Sequence, residues 1–256
     1  MFNFGKNWQD FSTRAANDRS LEAAEQSFQN LLQVDNLSGY SLLDLGCGSG
    51  LFSIAAAQLG AAVTAVDVNP LCLKVTEDNI ARLAQSDTNI RLLEASALDR
   101  EKLAALGTFD IVYSWGVLHH TGHMWDAIEN VLALVKPEGK LVLSIYNKHF
   151  TSPAWRVIKR IYGMMPSLGQ RMMALAFGVV IWVAKWLVTR RNPLEKERGM
   201  SFWYDVIDWI GGYPYEYATT EEIVRFVSAR GFHCLRTIDA AVPTGCNEFV
   251  FRKAAS

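Results

Sequence analysis

The sequence predicts an α/β fold: a doubly wound, seven-stranded, mostly parallel sheet with helices on both faces. Three observations predict it. From residue 40 onward, strand-like and helix-like segments alternate. The apolar run "SLLDL" leads straight into the glycine-rich turn "GCGSG", and the next strand-like run, "AVTAVDV", carries an acid, Asp67, at its end. Strands alternating with helices imply βαβ units, and so a parallel sheet covered on both sides.

The elements follow in order. Residues 1–39 read as an N-terminal helical arm. After "SLLDL" come the helical "LFSIAAAQLG", the strand "AVTAVDV" and the helix "PLCLKVTEDNIARLA". "NIRLLEAS" is a strand, "LDREKLAAL" a short helix, "FDIVYSW" a strand, "MWDAIENVLALV" a helix and "GKLVLSIYN" a strand. The helix "TTEEIVRFVSARGF" opens on a capping box, Thr219 to Glu222, and stops at Gly231. Two last strands, "HCLRTIDA" and "NEFVFRK", complete the sheet. Residues 40–146 and 218–256 thus form the α/β domain, and 147–217 is a cap inserted after the fifth strand. Pro153, Pro166, Pro193, Gly211, Gly212 and Pro214 are expected to cut that cap into short helices.

Composition narrows the function. The chain of 256 residues is half apolar and one fifth charged, which is globular and not disordered. A formal net charge of −1 gives no global attraction to nucleic acid. Cys47, Cys72, Cys234 and Cys246 form no CxxC pair, so neither structural zinc nor a disulfide framework is expected. The first twenty residues lack the apolar core of a signal peptide, and the protein is expected to be cytoplasmic. The charge is uneven, however. Between Glu138 and Glu195 there is no acid but nine basic residues, which leaves 16 basic against 26 acidic residues elsewhere.

The glycine turn is the strongest chemical signal. Glycines let backbone approach a ligand, and the helix that follows presents unpaired N–H groups. The spacing is G-x-G-x-G, with Leu51 where a dinucleotide fingerprint has its third glycine, while Asp67 is placed to bind ribose hydroxyls. In order and spacing, "LLDLGCGSG", "VTAVDVN", "FDIVYSWGVLHH" and "LVKPEGKLVLSIYN" resemble the class I S-adenosylmethionine-dependent methyltransferases, which are Rossmann-like, over about residues 40–146. The resemblance implies S-adenosyl-L-methionine as cofactor. Asp44 and the backbone of Gly46, Cys47 and Gly48 would hold its methionine end, Asp67 its ribose, and Val68 would pack on the adenine. Ser96 and Ala97 fall where the family reads the adenine edge, with a serine in place of the usual acid. Trp115 is grouped with the cofactor residues, and the motif after the fourth strand is the one nearest the transferring methyl group.

Methyl transfer from a sulfonium needs alignment and, for a hydroxyl acceptor, removal of a proton. His119 and His120 are the candidate bases, since imidazole ordinarily titrates near neutrality. Adjacent side chains diverge, so one of the two is expected to act and the other to be structural. Asp205, Asp208 and Glu216, in "FWYDVIDWIGGYPYEY", are the alternative bases, and Tyr215 in the same stretch is expected to line the acceptor site. Trp8, among Phe2, Phe4 and Phe11, either packs its helix on the core or serves as a lid residue over cofactor and acceptor, as such helices do in related enzymes.

The run "MMALAFGVVIWVAKWLV", residues 172–188, stands out. Its unbroken part, Met172 to Ala184, is 13 residues, and extension past Lys185 to Val188 makes 17. That is short of the roughly 20 needed to cross a bilayer. Two readings stay open: an internal lid, or a surface facing lipid. Arg171, Arg190 and Arg191 flank it, and the basic "WRVIKRIY" precedes it, which suits an anionic membrane surface or a lipid-like acceptor. The segment "YNKHFTSPAWRVIKRIYGMMPS" also resembles the insertion of the ubiquinone-biosynthesis O-methyltransferases, which implies a lipophilic acceptor. The expected activity is O-methylation of a small apolar or lipid-linked hydroxyl, peripheral at the inner membrane face. C- or N-methylation, a Rossmann-fold oxidoreductase and a non-catalytic cofactor-binding protein are the competing readings.

Overall fold

The computed structural model describes residues 16–84, 88–190 and 210–255, with Gly5, Trp8, Gln9, Ser12, Asn192, Val206 and Ile207 besides. Phe2, Phe4, Phe11, Arg191, Asp205 and Asp208 lie outside the described residues. The chain begins α1 (Asp18–Leu32), β1 (Ser41–Leu45), α2 (Leu51–Gln58), β2 (Ala62–Asp67), α3 (Pro70–Leu83), β3 (Ile90–Glu94) and α4 (Arg100–Ala104). It continues with β4 (Phe109–Trp115), α5 (Met124–Leu132), β5 (Val135–Tyr146), α6 (Ser152–Met164), α7 (Ser167–Thr189), α8 (Thr220–Ser228), β6 (Phe232–Ile238) and β7 (Cys246–Lys253).

The seven strands lie in the order β3-β2-β1-β4-β5-β7-β6, with β7 antiparallel to both its neighbours. Strand residues alternate between two helical layers, as a pleated sheet buried on both faces requires. Leu43, Val112 and Leu141 pack with Ile128 of α5 and Ile223 of α8. Leu42, Ile111 and Val142 pack with Phe28 of α1 and Ile54 of α2. One boundary differs from expectation. The helix before β5 ends at Leu132, and the strand starts at Val135 instead of Gly139. Pro137 has no N–H to donate to a helix and drives Lys136 toward extended backbone, so the helix cannot continue through it.

The cap corrects another expectation. Pro153 falls in the first turn of α6 and Pro166 is the N-cap of α7, positions where a missing N–H is harmless. Nothing interrupts α7, which runs for 23 residues. The helix before it, α6, is turned inside out: Ser152, Lys159 and Tyr162 are buried, whereas Val157, Ile161 and Met164 face outward. Along α7 a narrow stripe of Ala174, Phe177, Ile181 and Trp182 packs with Tyr162, Val206 and Ile210. The opposite face exposes Met172, Leu175, Val179, Val180, Val183 and Leu187. Trp182 is half-buried, while Trp186, one turn on, is exposed.

Because α7 starts at Ser167, its apolar stretch is longer than the run counted from Met172. Ser167–Val188 spans 22 residues at a mean hydropathy of 1.7, long and apolar enough to cross a bilayer by length and composition. The path of the chain weighs against a lone crossing. It enters the cap at Asn147 and leaves at Ala218, and these two residues bridge one another. A crossing by α7 would therefore need a second one to return, and α7 is the one such helix among the described residues.

Candidate active site

The C-terminal ends of β1, β2, β4 and β5 share one edge of the sheet, and the strand order changes direction between β1 and β4. Ligands bind in the crevice at such a switch point. There the glycine turn leaves β1 with positive φ at Gly46 (+87°) and Gly48 (+58°), a region favouring glycine. A Cβ on Gly46 would collide with Val117, and one on Gly48 would lie 2.9 Å from the Trp8 indole, which sits directly on the turn.

Two buried acids flank the turn. Asp67 accepts hydrogen bonds from the Gly48 N–H (3.1 Å) and the Asn69 N–H (2.9 Å). Burial outweighs these bonds and raises its pKa. Asp44 accepts from the Ser53 hydroxyl at 2.5 Å. Burial pushes its pKa up to about 7, opposed by the Ser53 bond and reinforced by the charge of Asp67. Burial, with both acids adding to it, pushes the Cys47 thiol well up, so it stays protonated. Beside Asp67, Val68 is 64% exposed and offers an apolar surface. Next along the edge, the Ser96 hydroxyl accepts from the Leu98 N–H (3.1 Å), while the Ala97 carbonyl accepts from the Asn130 side chain (3.0 Å).

Trp115 ends β4 half-buried, and a 3₁₀ turn, Leu118–His120, follows it. Its two histidines differ. His119 is 1% exposed and packs 4.1 Å from the Tyr146 ring. Its own carbonyl accepts from the Glu216 N–H (3.0 Å). His120 Nδ1 lies 2.7 Å from the Pro214 carbonyl. A carbonyl can only accept, so Nδ1 carries the proton and Nε2 the lone pair.

The expectation of near-neutral titration does not hold for either ring. Burial, then the charges of His120 and Lys159, lowers the His119 pKa well below the ordinary value. Burial and Lys159 take His120 down to about 3. Both are neutral imidazoles at working pH. Glu216, the alternative base, is engaged elsewhere: its carboxylate accepts from the Met124 N–H at the start of α5 (3.0 Å). Tyr215 is buried, and its carbonyl accepts from Arg156 Nε (3.2 Å).

Residues 43–141, from β1 into the middle of β5, match the family model of the methyltransferase domain. This segment is similar to that domain. Curated relatives match part of the chain. The mitochondrial ubiquinone biosynthesis O-methyltransferase of Schizosaccharomyces pombe is 34% identical over 111 residues, covering 43% of this chain and 39% of that protein. The ubiquinone biosynthesis O-methyltransferase of Coxiella burnetii is 32% identical over 136 residues, 52% of this chain and 56% of that one. The chain thus spans about half the length of the curated relatives it matches, or less. Among solved structures, magnesium protoporphyrin IX methyltransferase from Synechocystis with bound SAM superposes at a TM-score of 0.59 and 14% identity, over 97% of this chain and 90% of that one. At that identity the likeness shows the fold alone.

At this edge of the sheet, Asp44, Gly46, Cys47, Gly48, Asp67 and Trp8 come together at the β1–β2 end, and Trp115, His119, His120 and Tyr215 around the ends of β4 and β5. Sequence reading missed two members of the second group. Tyr146 closes β5 against both histidine rings. Lys159, read as part of a basic segment suited to an anionic membrane surface or a lipid-like acceptor, is fully buried with its ammonium 4.7 Å from the Tyr215 ring centre. The available signal was spacing: Ser152, Lys159 and Tyr162 fall on one helical face.

Proposed function

We propose that this chain is an S-adenosylmethionine-dependent methyltransferase that methylates the hydroxyl of a small, lipophilic acceptor. The observation that carries the reading is the glycine turn closed between two buried acids, on a segment matching the methyltransferase domain. The turn fits the cofactor: its glycines leave no room for side chains, Asp67 is held by two backbone N–H groups beside the exposed Val68, and Asp44 lies next to the turn as a buried anion for a cationic ligand. When bound, S-adenosylmethionine supplies a methyl group on a positively charged sulfur, activated for in-line displacement. The protein's part is alignment, exclusion of water by Trp8 and the cap, and management of one proton.

For that proton, geometry favours His120 over His119, since its Nδ1–H is fixed on Pro214 and its Nε2 is the basic atom. O-methylation is favoured over C- or N-methylation by the relatives' printed activity and by this fixed neutral imidazole. The outward apolar face of α6 and α7, within a stretch rich in Arg and Lys and free of acids, supports an acceptor met at an anionic membrane surface. Calorimetry with S-adenosylhomocysteine tests the cofactor; tight NADH binding in its place would sink the reading. A mass-shift screen over phenolic, prenylated and sugar-lipid acceptors tests the reaction, and a product methylated on carbon or nitrogen would overturn O-transfer.

A further inference from the structure

Helix α3 stands between the glycine turn and the N-terminal segment, and one face of it holds both. Thr76, Asn79 and Arg82 recur at a spacing of three, which puts them on that face. Toward the turn, Thr76 donates to the Gly48 carbonyl (3.3 Å) and the Asn79 amide nitrogen to the Ser49 carbonyl (2.8 Å). Toward the segment, the Asn79 amide oxygen accepts from the Ser12 hydroxyl (2.6 Å) and from Arg82 Nη2 (2.8 Å). A carbonyl only accepts and a guanidinium only donates, so these partners fix which way the Asn79 amide points. Arg82 donates further to the carbonyls of Ser12 (3.2 Å) and Ala16 (2.9 Å). Asn79 is 1% exposed and Ser12 is buried with it. Four residues before Ser12, the Trp8 indole lies on Gly48. Gly5 approaches the N-cap of the same helix so closely that a Cβ there would lie 2.6 Å from the Asn69 amide nitrogen.

Resting on the methyltransferase reading above, we propose that Asn79 and Arg82 are positioning residues for the cofactor. They hold the N-terminal segment so that Trp8 stays over the glycine turn and shields the cofactor bound there. Two features separate this role from the plain pinning of a chain end. First, the bonds converge on one buried amide whose donor serves the ligand-binding turn and whose acceptor serves the segment. Release of either side leaves half of a buried amide unpaired, which is costly, so turn and segment keep or lose their arrangement together. Second, the residue that the segment brings to the turn is a large aromatic, laid on a glycine that has no side chain of its own. Ser12 and Arg82 act only through this connection, because their hydrogen bonds go to Asn79 and within the segment. Coupling of this kind is reciprocal: whatever docking of the segment adds to cofactor affinity, the cofactor adds to docking.

Two measurements on the full chain test this: S-adenosylhomocysteine affinity by calorimetry, and the rate of trypsin cleavage before Ala16, read by mass. Ser12→Ala and Arg82→Met should each weaken binding by about threefold to tenfold, the effect of one or two lost hydrogen bonds. Both should speed cleavage of the ligand-free chain by a similar factor, since cleavage follows the undocked population. By reciprocity, saturating S-adenosylhomocysteine should slow cleavage of the wild type. In a Trp8→Ala background the same two changes should still speed cleavage but leave affinity unchanged, because no indole remains for them to position. Single variants that bind as wild type does would overturn the proposal. So would affinity losses that persist in full without Trp8, which mark a purely structural role. If Arg82→Met does not fold, Ser12→Ala, which deletes one hydroxyl, decides alone. A wild type that binds no S-adenosylhomocysteine brings down the methyltransferase reading and this proposal with it; a wild type that binds, with variants equal to it, brings down the proposal alone.

Discussion

His120 Nδ1 and the carbonyl oxygen of Pro214 lie 2.7 Å apart and join the turn after β4 to the segment leaving the cap, 94 residues later. Because that bond fixes tautomer and ring orientation, His120→Ala should lower methyl transfer to a hydroxyl acceptor by about a hundredfold, with S-adenosylhomocysteine affinity unchanged. His119 fills interior space beside Tyr146, so His119→Ala should instead cost about 2–4 kcal/mol of stability in urea titrations. Rate losses of equal size with equal stability in the two variants would show that the histidines are not divided in this way.

Asp44 gives a pH signature. Its folded pKa of about 7 lies above the ordinary carboxyl value of 3.8, so between those values the folded state holds a proton that the unfolded state has released. The sign is then fixed: this group's contribution to stability falls as pH rises, by about 1.4 kcal/mol per unit, and levels off above pH 7. Asp44→Asn, which can still accept from Ser53, should match wild type near pH 4 and exceed it by about 4 kcal/mol above pH 7. The ionised form is the one that suits a cationic ligand. S-adenosylhomocysteine affinity should therefore weaken as pH drops below 7 in wild type, and should be at least about tenfold lower and flat with pH in the variant. Denaturant melts and calorimetry from pH 4 to 8 check both halves.

The glycine turn offers a steric test. Gly48→Ala places a methyl against the Trp8 indole at a positive φ, which should cost about 1–2 kcal/mol and reduce cofactor affinity. Adding Trp8→Ala removes the clash but not the backbone strain. The double variant should recover part of the stability, as seen in thermal melts, and none of the affinity if Trp8 covers the bound cofactor. Full recovery of affinity would show that Trp8 merely packs.

These tests rest on features of unequal visibility in the sequence. The strand–turn–helix at Leu42–Leu51 and the acid at Asp67 were legible because they are local: a short apolar run buried on both faces, glycines at positive φ, an acid one strand on. The insertion of β7 between β5 and β6 was not, since antiparallel pairing at the sheet edge leaves no mark in either strand's own pattern. Nor was the inward turn of Lys159. Basic residues interleaved with apolar ones read the same whichever face a helix buries, and the partners that turn α6 inward, Tyr146 and Tyr215, come from distant segments. Neutral His120 was hidden for the same reason, because its pKa is set by burial and by Lys159 and not by its neighbours in sequence.

The outward face of α7 leads to a membrane prediction. Leu175, Val179 and Val183 lie on one exposed stripe at spacing four, and Arg160, Arg171 and Arg190 on the same two helices are exposed. A helix with such a face lies in the interfacial plane of an anionic bilayer, with apolar burial and charge attraction acting together. Wild type should pellet with vesicles containing phosphatidylserine at low salt and far less with phosphatidylcholine alone. Each exposed leucine or valine withdrawn from water contributes about 1–2 kcal/mol. Leu175→Glu with Val179→Glu should therefore cut partitioning by about tenfold or more, and S-adenosylhomocysteine binding should be unaffected because α7 is remote in sequence from the glycine turn. High salt should weaken the wild type's binding without abolishing it, since only the charge component is screened. If the wild type fails to pellet and sediments as a dimer that the double variant dissociates, the occupant of this face is a second copy of the chain and the membrane reading falls.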